Sequence, residues 1–587
     1  MQNNEYILGI HGGHDATVVL LKNGVFIEAM SEERLSRQKK HAGFPYLSLA
    51  YLKNKYQIDS FAEVLVVGID KELYWFKTLE DNITHRQSPI KINHYARSLG
   101  VHIPFLGKLL AWRDAQLLRS MHNGIPEQVE SFIAEKFPQS RVTYLDHHFA
   151  HAWATVPFYL DYFKPRVVLT LDGAGDGLAG SVCVYKNGSI ERLSTTPMSA
   201  SLGLLYCAVV DILGMARNEH EFKVMGLAPY AKASAGDKVY QKLKELIWFN
   251  KETLQFESKI PLDKATPYLI AKSFYQYRFD SLAYGIQKLT EELVIVMAKA
   301  AIKKTGITDV AIGGGVFMNV KANQYLRALP EVTSLSVAPS CGDESLAIGA
   351  AVARYSELHK GDLSNLKPLK NIYLGSEFSD MDIKVAIDTY PDKNNWQITY
   401  FDQSNKVSIE QKVAELLSQN SVVGRFKGRS EWGARALGNR SILANPRSRD
   451  NVKLINEMIK GRDFWMPFAT SMLYERRNDY LVGAEDYLAP FMAITFETKQ
   501  KAHMDLIAAL HPYDLTSRPQ MVTAESNPSY HALISHFEQL TGVGGILNTS
   551  FNLHGEPNVE NPADALRTFA LSGLPHVAIG NYLISKR

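Results

Sequence analysis

The feature that most constrains this chain is a pattern written twice. "ILGIHGGHDATVVLLKNGVFIEAM" begins at Ile7, and "VVLTLDGAGDGLAGSVCVYKNGSIERL" begins at Val167. Each reads as an apolar strand, a Gly-rich turn holding aspartate, a second strand, an Asn-Gly hairpin signal and a third strand. Lys22-Asn23-Gly24 lies over Lys186-Asn187-Gly188, and the two Gly-rich turns fall in register. Two unrelated hairpins would give the same local signals, but the shared turn chemistry favours a duplication. At 587 residues the chain is also too long for one core, so two domains are expected.

Two strand–turn–strand units of this kind resemble the phosphate-binding arrangement of the actin/sugar-kinase superfamily, in which glycines let backbone N–H groups approach a polyphosphate. "DVAIGGGVFMNVKANQ", a buried strand opening into Gly313-Gly314-Gly315 with Asn319 and Asn323 beyond, resembles the segment that lies against adenosine there. Taken alone, the glycine triplet is equally a tight strand-to-helix turn.

"DHHFAHAW" places three histidines within five residues. Asp146 is a helix N-cap, and the helix it opens runs until Pro157 stops it. His147 and His151 then share one face, as two metal ligands or as a satisfied helical face. Asp172, at the end of a buried strand, and Asp343, in a Gly turn before an apolar helix, complete an N₂O₂ set suited to Fe²⁺ or Zn²⁺. Asp343 is equally a helix cap, a duty Ser340 could take instead. The second half carries "VVGRFKGRSEWGARALGNRSILANPR", with Arg425, Lys427, Arg429, Arg435, Arg440 and Arg447 against the single acid Glu431. Its interleaved glycines favour an anion pocket over a solvated basic face. RNA is the rival ligand, but few aromatics are present for base stacking.

Together with "GHDATVVL", "SEERLSRQKKHAGFP", "NEHEFKVMGLAPY" and "CGDESLAIGAA", these motifs resemble the O-carbamoyltransferases of nodulation, cephamycin and aminoglycoside tailoring, over nearly the whole length. They are also similar to the tRNA threonylcarbamoyladenosine transferases. Against that pattern Asp176 stands in place of Glu, His148 is an extra imidazole, and Ala434 replaces a proline. Lys460-x-Arg462 and Ser550-x-Asn552 resemble a YrdC-like domain, although at a helix C-terminus the two cations would be favoured anyway. Asp514, Thr516, Arg518 and Gln520 also match the family.

The resemblance implies an α/β chain: a duplicated actin/sugar-kinase-like domain over residues 1–355, a linker over 356–370 and a YrdC-like domain over 371–587. The second domain would convert ATP and carbamoyl phosphate into carbamoyl-adenylate and pyrophosphate, using Arg435, Arg440, Lys460, Arg462, Arg518, Ser550 and Asn552. The first would hold the adenylate on Gly173, Gly175, Gly314, Gly315 and Asn319, beside Fe²⁺ or Zn²⁺ on His147, His151, Asp172 and Asp343. His14, next to Asp15, is the candidate general base, with a structural loop role as its alternative. The expected partner is a small-molecule hydroxyl acceptor; neither nucleic acid nor membrane is expected, and a homodimer is left open. A formal charge of +3, three separated cysteines, and no signal-like or membrane-spanning run place the chain in the cytoplasm as an expectation. A sugar-kinase-type phosphotransferase, a tRNA-modifying carbamoyltransferase and an actin-like scaffold are the competing readings.

Overall fold

A computed structural model describes residues 5–67, 125–159, 161–263, 266–402, 404 and 406–587. It divides into two units, one formed by Met1–Glu32 with Lys40–Leu369, the other by Glu33–Lys39 with Lys370–Arg587.

The first unit contains the duplication as topology. Strands β1 (Tyr6–His11), β2 (Thr17–Lys22), β3 (Val25–Ser31), β4 (Glu63–Val67) and β5 (Arg141–Leu145) form a sheet of order β3-β2-β1-β4-β5. The next three strands are β6 (Arg166–Gly175), β7 (Leu178–Lys186) and β8 (Ser189–Pro197). A separate hairpin, β9 (Ile247–Asn250) with β10 (Gln255–Ser258), precedes β11 (Asp309–Gly313) and β12 (Ser334–Val337). The second five-stranded sheet has order β12-β11-β6-β7-β8. In both, the first three strands are an antiparallel meander and the last two join in parallel on the far side of the first. This repeated order is the actin/sugar-kinase-like architecture. Both hairpins turn at Asn-Gly with two positive φ angles, 48° and 76° at Asn23-Gly24 and 51° and 69° at Asn187-Gly188. Such turns match the twist of the flanking strands.

The apolar helix Leu346–Leu358 packs between the repeats at van der Waals distance. A Cβ on Gly349 would sit 1.9 Å from Ala150 O, and one on Gly9 2.0 Å from Ala347 O. Small residues here let the helix His147–Ala154 and strand β1 approach its backbone. The stretch 356–370, expected as a linker, counts with the first unit as far as Leu369. It is fastened by backbone bonds from Lys367 to Gly24 O (2.8 Å) and from Leu369 to Pro157 O (2.7 Å).

The second unit is an α/β domain built on one mixed sheet. Its strands are β13 (Trp396–Tyr400), β14 (Val423–Phe426), β15 (Arg440–Ala444), β16 (Ala469–Leu473), β17 (Pro519–Val522), β18 (Gly545–Ser550), β19 (His576–Ile579) and β20 (Tyr582–Lys586). The order is β13-β20-β19-β14-β15-β18-β16-β17. Ile442, Leu547, Phe551, Val577 and Phe569 lie at its core. The segment Glu33–Lys39 belongs to this unit because arginines tie it down. Arg37 donates to Asn558 O (2.8 Å) and Pro557 O (3.0 Å), and Arg34 donates to Glu431 O (3.3 Å).

Candidate active site

The helix His147–Ala154 starts as the sequence dictates, with the Asp146 side chain accepting from Phe149 N at 2.8 Å. Both histidines then meet Asp172, within β6, and Asp343, which opens the short turn before the helix Leu346–Leu358. His147 Nε2 lies 3.1 Å from Asp172 Oδ2 and 3.8 Å from Asp343 Oδ1. His151 Nε2 lies 3.4 Å and 3.5 Å from the same two atoms, without hydrogen-bond geometry. One ligand atom from each of the four residues falls within 4.8 Å of all the others. His151 Nδ1 faces Ser345 Oγ at 3.3 Å, which orients the ring and leaves Nε2 for the centre. Two buried imidazole nitrogens facing two carboxylates fit a divalent cation. Asp343 caps no helix, and Ser340 donates to Glu344 instead.

His148 stands apart from this set. Its Nδ1 faces Thr170 Oγ1 at 3.1 Å, and burial, then the neighbouring His147 and His151, hold its pKa well below the usual imidazole value. Asp176 accepts from His147 N at 2.7 Å, so its carboxylate serves the first turn of the helix.

His14 lies at the exposed edge of the centre, its Nδ1 2.7 Å from Asp15 Oδ2 and its Nε2 3.6 Å from Asp343 Oδ2. Burial opposes its charge, but Asp15 and then Asp343 outweigh that and push its pKa up to about 10. The two carboxylates that favour its charged form also hold the ring at the centre's edge.

Four of the residues expected at the nucleotide have a packing duty. A Cβ on Gly175 would meet the His147 ring at 2.1 Å, and one on Gly315 would meet Asp172 Oδ1 at 2.5 Å. Gly314, at φ +98°, would meet Leu171 O at 2.3 Å. Those glycines let the candidate ligands close up. Asn319 accepts from Ala322 N (3.1 Å) and exchanges two bonds with Gln287 (2.9 and 2.8 Å), which commits its amide to the fold. Only Gly173 differs, with no atom within 4 Å of a built Cβ. Gly173→Val should therefore melt like wild type while binding an adenylate at least about tenfold more weakly, a loss of ~1.4 kcal/mol. Calorimetry with a non-hydrolysable adenylate checks this, and unchanged affinity would remove the glycine turn from the nucleotide site.

In the second unit the cations sort into two groups. Arg440 is fully buried; it donates to Lys427 O (3.1 Å), Gly428 O (3.0 Å) and Ser376 O (3.2 Å) and lies over Phe426. These bonds pin backbone. Arg425, Lys427, Arg429 and Arg447 likewise bond to protein groups. The second group is a cluster of like charges. Burial and then Arg435 push the Arg462 pKa down to about 10, and burial, Arg435 and Arg462 push Arg518 well down. Burial, then Arg462 and Lys39, lower Lys460. The charges named on these three are those of Arg435, Arg462 and Lys39, a gathering of buried positive charge of the kind that favours an anion.

Lys460 ends a π-helical turn, Asn456–Lys460, and spends its three donors on Asn552 Oδ1 (2.6 Å), Asn552 O (3.0 Å) and Ser550 Oγ (3.2 Å). Ser550 donates to Asn552 Oδ1 (2.6 Å), and Asn552 Nδ2 donates to Leu553 O and Glu556 O (2.9 and 2.7 Å). Ser550 and Asn552, expected as ligand donors, therefore hold Lys460. Arg462 is steadied by Thr549 Oγ1 at 3.0 Å. Lys39, Thr549 and Ser345 carried no signal in the sequence, since each acquires its role from a neighbour distant in the chain.

The carbamoyltransferase N-terminus profile matches residues 6–352, and the carbamoyltransferase C-terminus profile matches residues 414–586. The chain belongs to the carbamoyltransferase family. As such it is an enzyme that transfers carbamoyl groups. The nodulation protein NolNO of Sinorhizobium fredii is 31% identical over 584 residues, 98% of this chain and 79% of that protein. The 3'-hydroxymethylcephem-O-carbamoyltransferase of Streptomyces clavuligerus is 29% identical over 294 residues, 50% of this chain and 52% of its own length. Among solved structures, HypF of T. kodakarensis gives a TM-score of 0.32 at 14% identity, covering 62% of this carbamoyltransferase and 50% of HypF. Among the described residues no helix is long and apolar enough to cross a membrane.

Proposed function

We propose that this carbamoyltransferase is an ATP-dependent O-carbamoyltransferase acting on a hydroxyl of a small molecule. The observation that carries the reading is the separation of two chemistries within one chain of this family. One unit holds a histidine–carboxylate centre, and the other gathers Arg435, Arg462, Arg518 and Lys460 closely enough that their charges lower one another's pKa values.

Arg435, Arg462 and Arg518 would bind carbamoyl phosphate and the ATP triphosphate, with Lys39 and Lys460 adding positive charge. Water would cleave carbamoyl phosphate to carbamate and inorganic phosphate. A carbamate oxygen would then attack the α-phosphorus of ATP, giving carbamoyl-adenylate and releasing pyrophosphate. In the first unit the acceptor oxygen would bond to the carbamoyl carbon as the bond to AMP breaks, and the acceptor proton would pass to His14, oriented by Asp15. His147, His151, Asp172 and Asp343 would hold Fe²⁺ or Zn²⁺, whose chemistry is Lewis-acid polarisation of a carbonyl oxygen. The cephem enzyme's name specifies a hydroxymethyl acceptor, which supports a small-molecule alcohol here.

The test is product release without acceptor. ATP with carbamoyl phosphate should yield pyrophosphate and phosphate in equal amounts, and omitting carbamoyl phosphate should stop pyrophosphate. Equal pyrophosphate release from ATP alone would overturn the scheme.

A further inference from the structure

The loop that carries Arg435 has no ladder of its own and is held by side chains. Glu431, 1% exposed, sets Oε1 against three backbone N–H groups: Leu437 at 2.8 Å, Asn439 at 2.7 Å and Arg440 at 3.1 Å. Its Oε2 is buried with no hydrogen-bond partner. Other groups clamp the same loop by its carbonyls. Asn548 Nδ2 donates to Ala436 O (3.1 Å), Gln520 Nε2 and the Tyr373 hydroxyl donate to Leu437 O (both 2.8 Å), and Arg425 donates to Gly438 O (2.6 Å). The residue after Arg435 is thus fastened to β18 one position before Thr549, the residue that receives Arg462.

We propose that Glu431 is a positioning residue for Arg435, its carboxylate curling residues 432–439 so that this guanidinium joins Arg462 in holding an anion. A carboxylate accepting three N–H bonds shapes a loop more firmly than a neutral acceptor, because charge-assisted bonds are about twice as strong. Gln520, matched to the family by sequence, belongs to the same clamp. The proposal rests on reading the cation cluster as the substrate-anion site.

The experiment measures inorganic pyrophosphate affinity of the full chain by calorimetry in wild type, Glu431→Ala, Glu431→Gln, Arg435→Ala and the double variants, with melting curves for each. Arg435→Ala and Glu431→Ala should each bind about tenfold more weakly, as expected for one charge-assisted contact. Together they should bind no worse than Arg435→Ala, because Glu431 acts through that side chain. Glu431→Gln keeps an acceptor oxygen and should recover part of the loss; if Glu431→Ala does not fold, the glutamine variant carries the same cycle. Additive losses, or wild-type affinity in the Glu431 variants, overturn the proposal. Wild-type affinity in Arg435→Ala overturns the anion-site reading, and the proposal with it.

Discussion

His151→Ala is expected to lose the bound divalent cation and carbamoyl transfer together, while pyrophosphate release from ATP and carbamoyl phosphate continues. The imidazole contributes one of four converging ligand atoms, at 3.4 and 3.5 Å from the two carboxylates. Losing a group that merely orients a ligand already costs about 10–100-fold in metal affinity, so losing a ligand should cost about 100-fold or more. The variant should fold, since the helix keeps its Asp146 cap and alanine favours helix. Elemental analysis of protein purified without chelator reads the cation, and a transfer assay with pre-formed carbamoyl-adenylate reads the second step. Wild-type protein that stays fully active after exhaustive metal removal would end this account. Loss of pyrophosphate release in His151→Ala would show that the two half-reactions are not separable.

The converse prediction concerns Arg435 and Lys460, which should fail differently. Arg435 raises the electrostatic cost of Arg462 and Arg518 in the unliganded protein. Removing it should leave melting unchanged or higher, while pyrophosphate release falls by roughly 10–150-fold, the loss of about 1.5–3 kcal/mol of charge-assisted contact. Supplying carbamoyl-adenylate should restore transfer. Lys460 is a hub with three acceptors around one ammonium, so Lys460→Ala leaves Ser550 and Asn552 without their buried donor. That variant should lose stability as well as pyrophosphate release, by about 1–3 kcal/mol for the unsatisfied groups. Melting curves beside pyrophosphate assays separate the two. Equal destabilisation in both variants would mean that Arg435 is part of the scaffold rather than of an anion site.

Much of the first unit was legible locally. Asn-Gly at residues 23–24 and 187–188 dictates a hairpin wherever it occurs between apolar runs, and the repeated run of turns and strands dictates a repeated sheet order. Helix periodicity placed His147 and His151 on one face; Asp172, expected at a strand end, lies within β6, which runs on to Gly175. Local signals could not assign the arginines of residues 422–447, because a guanidinium that binds carbonyls and one that binds phosphate look alike in one dimension. Packing encloses Arg440 in backbone carbonyls and sets Arg435 close enough to Arg462 and Arg518 to lower their pKa values. The glycines behaved likewise: their spacing announced tight turns, but only the folded chain revealed that Gly175 makes room for the His147 ring and Gly315 for the Asp172 carboxylate. The sequence by itself determined the repeated strand order and put His147 and His151 on one helix face, since both follow from periodicities of two and 3.6 residues. The tertiary structure alone decided which polar groups bind one another, because hydrogen-bond saturation depends on neighbours brought from distant parts of the chain.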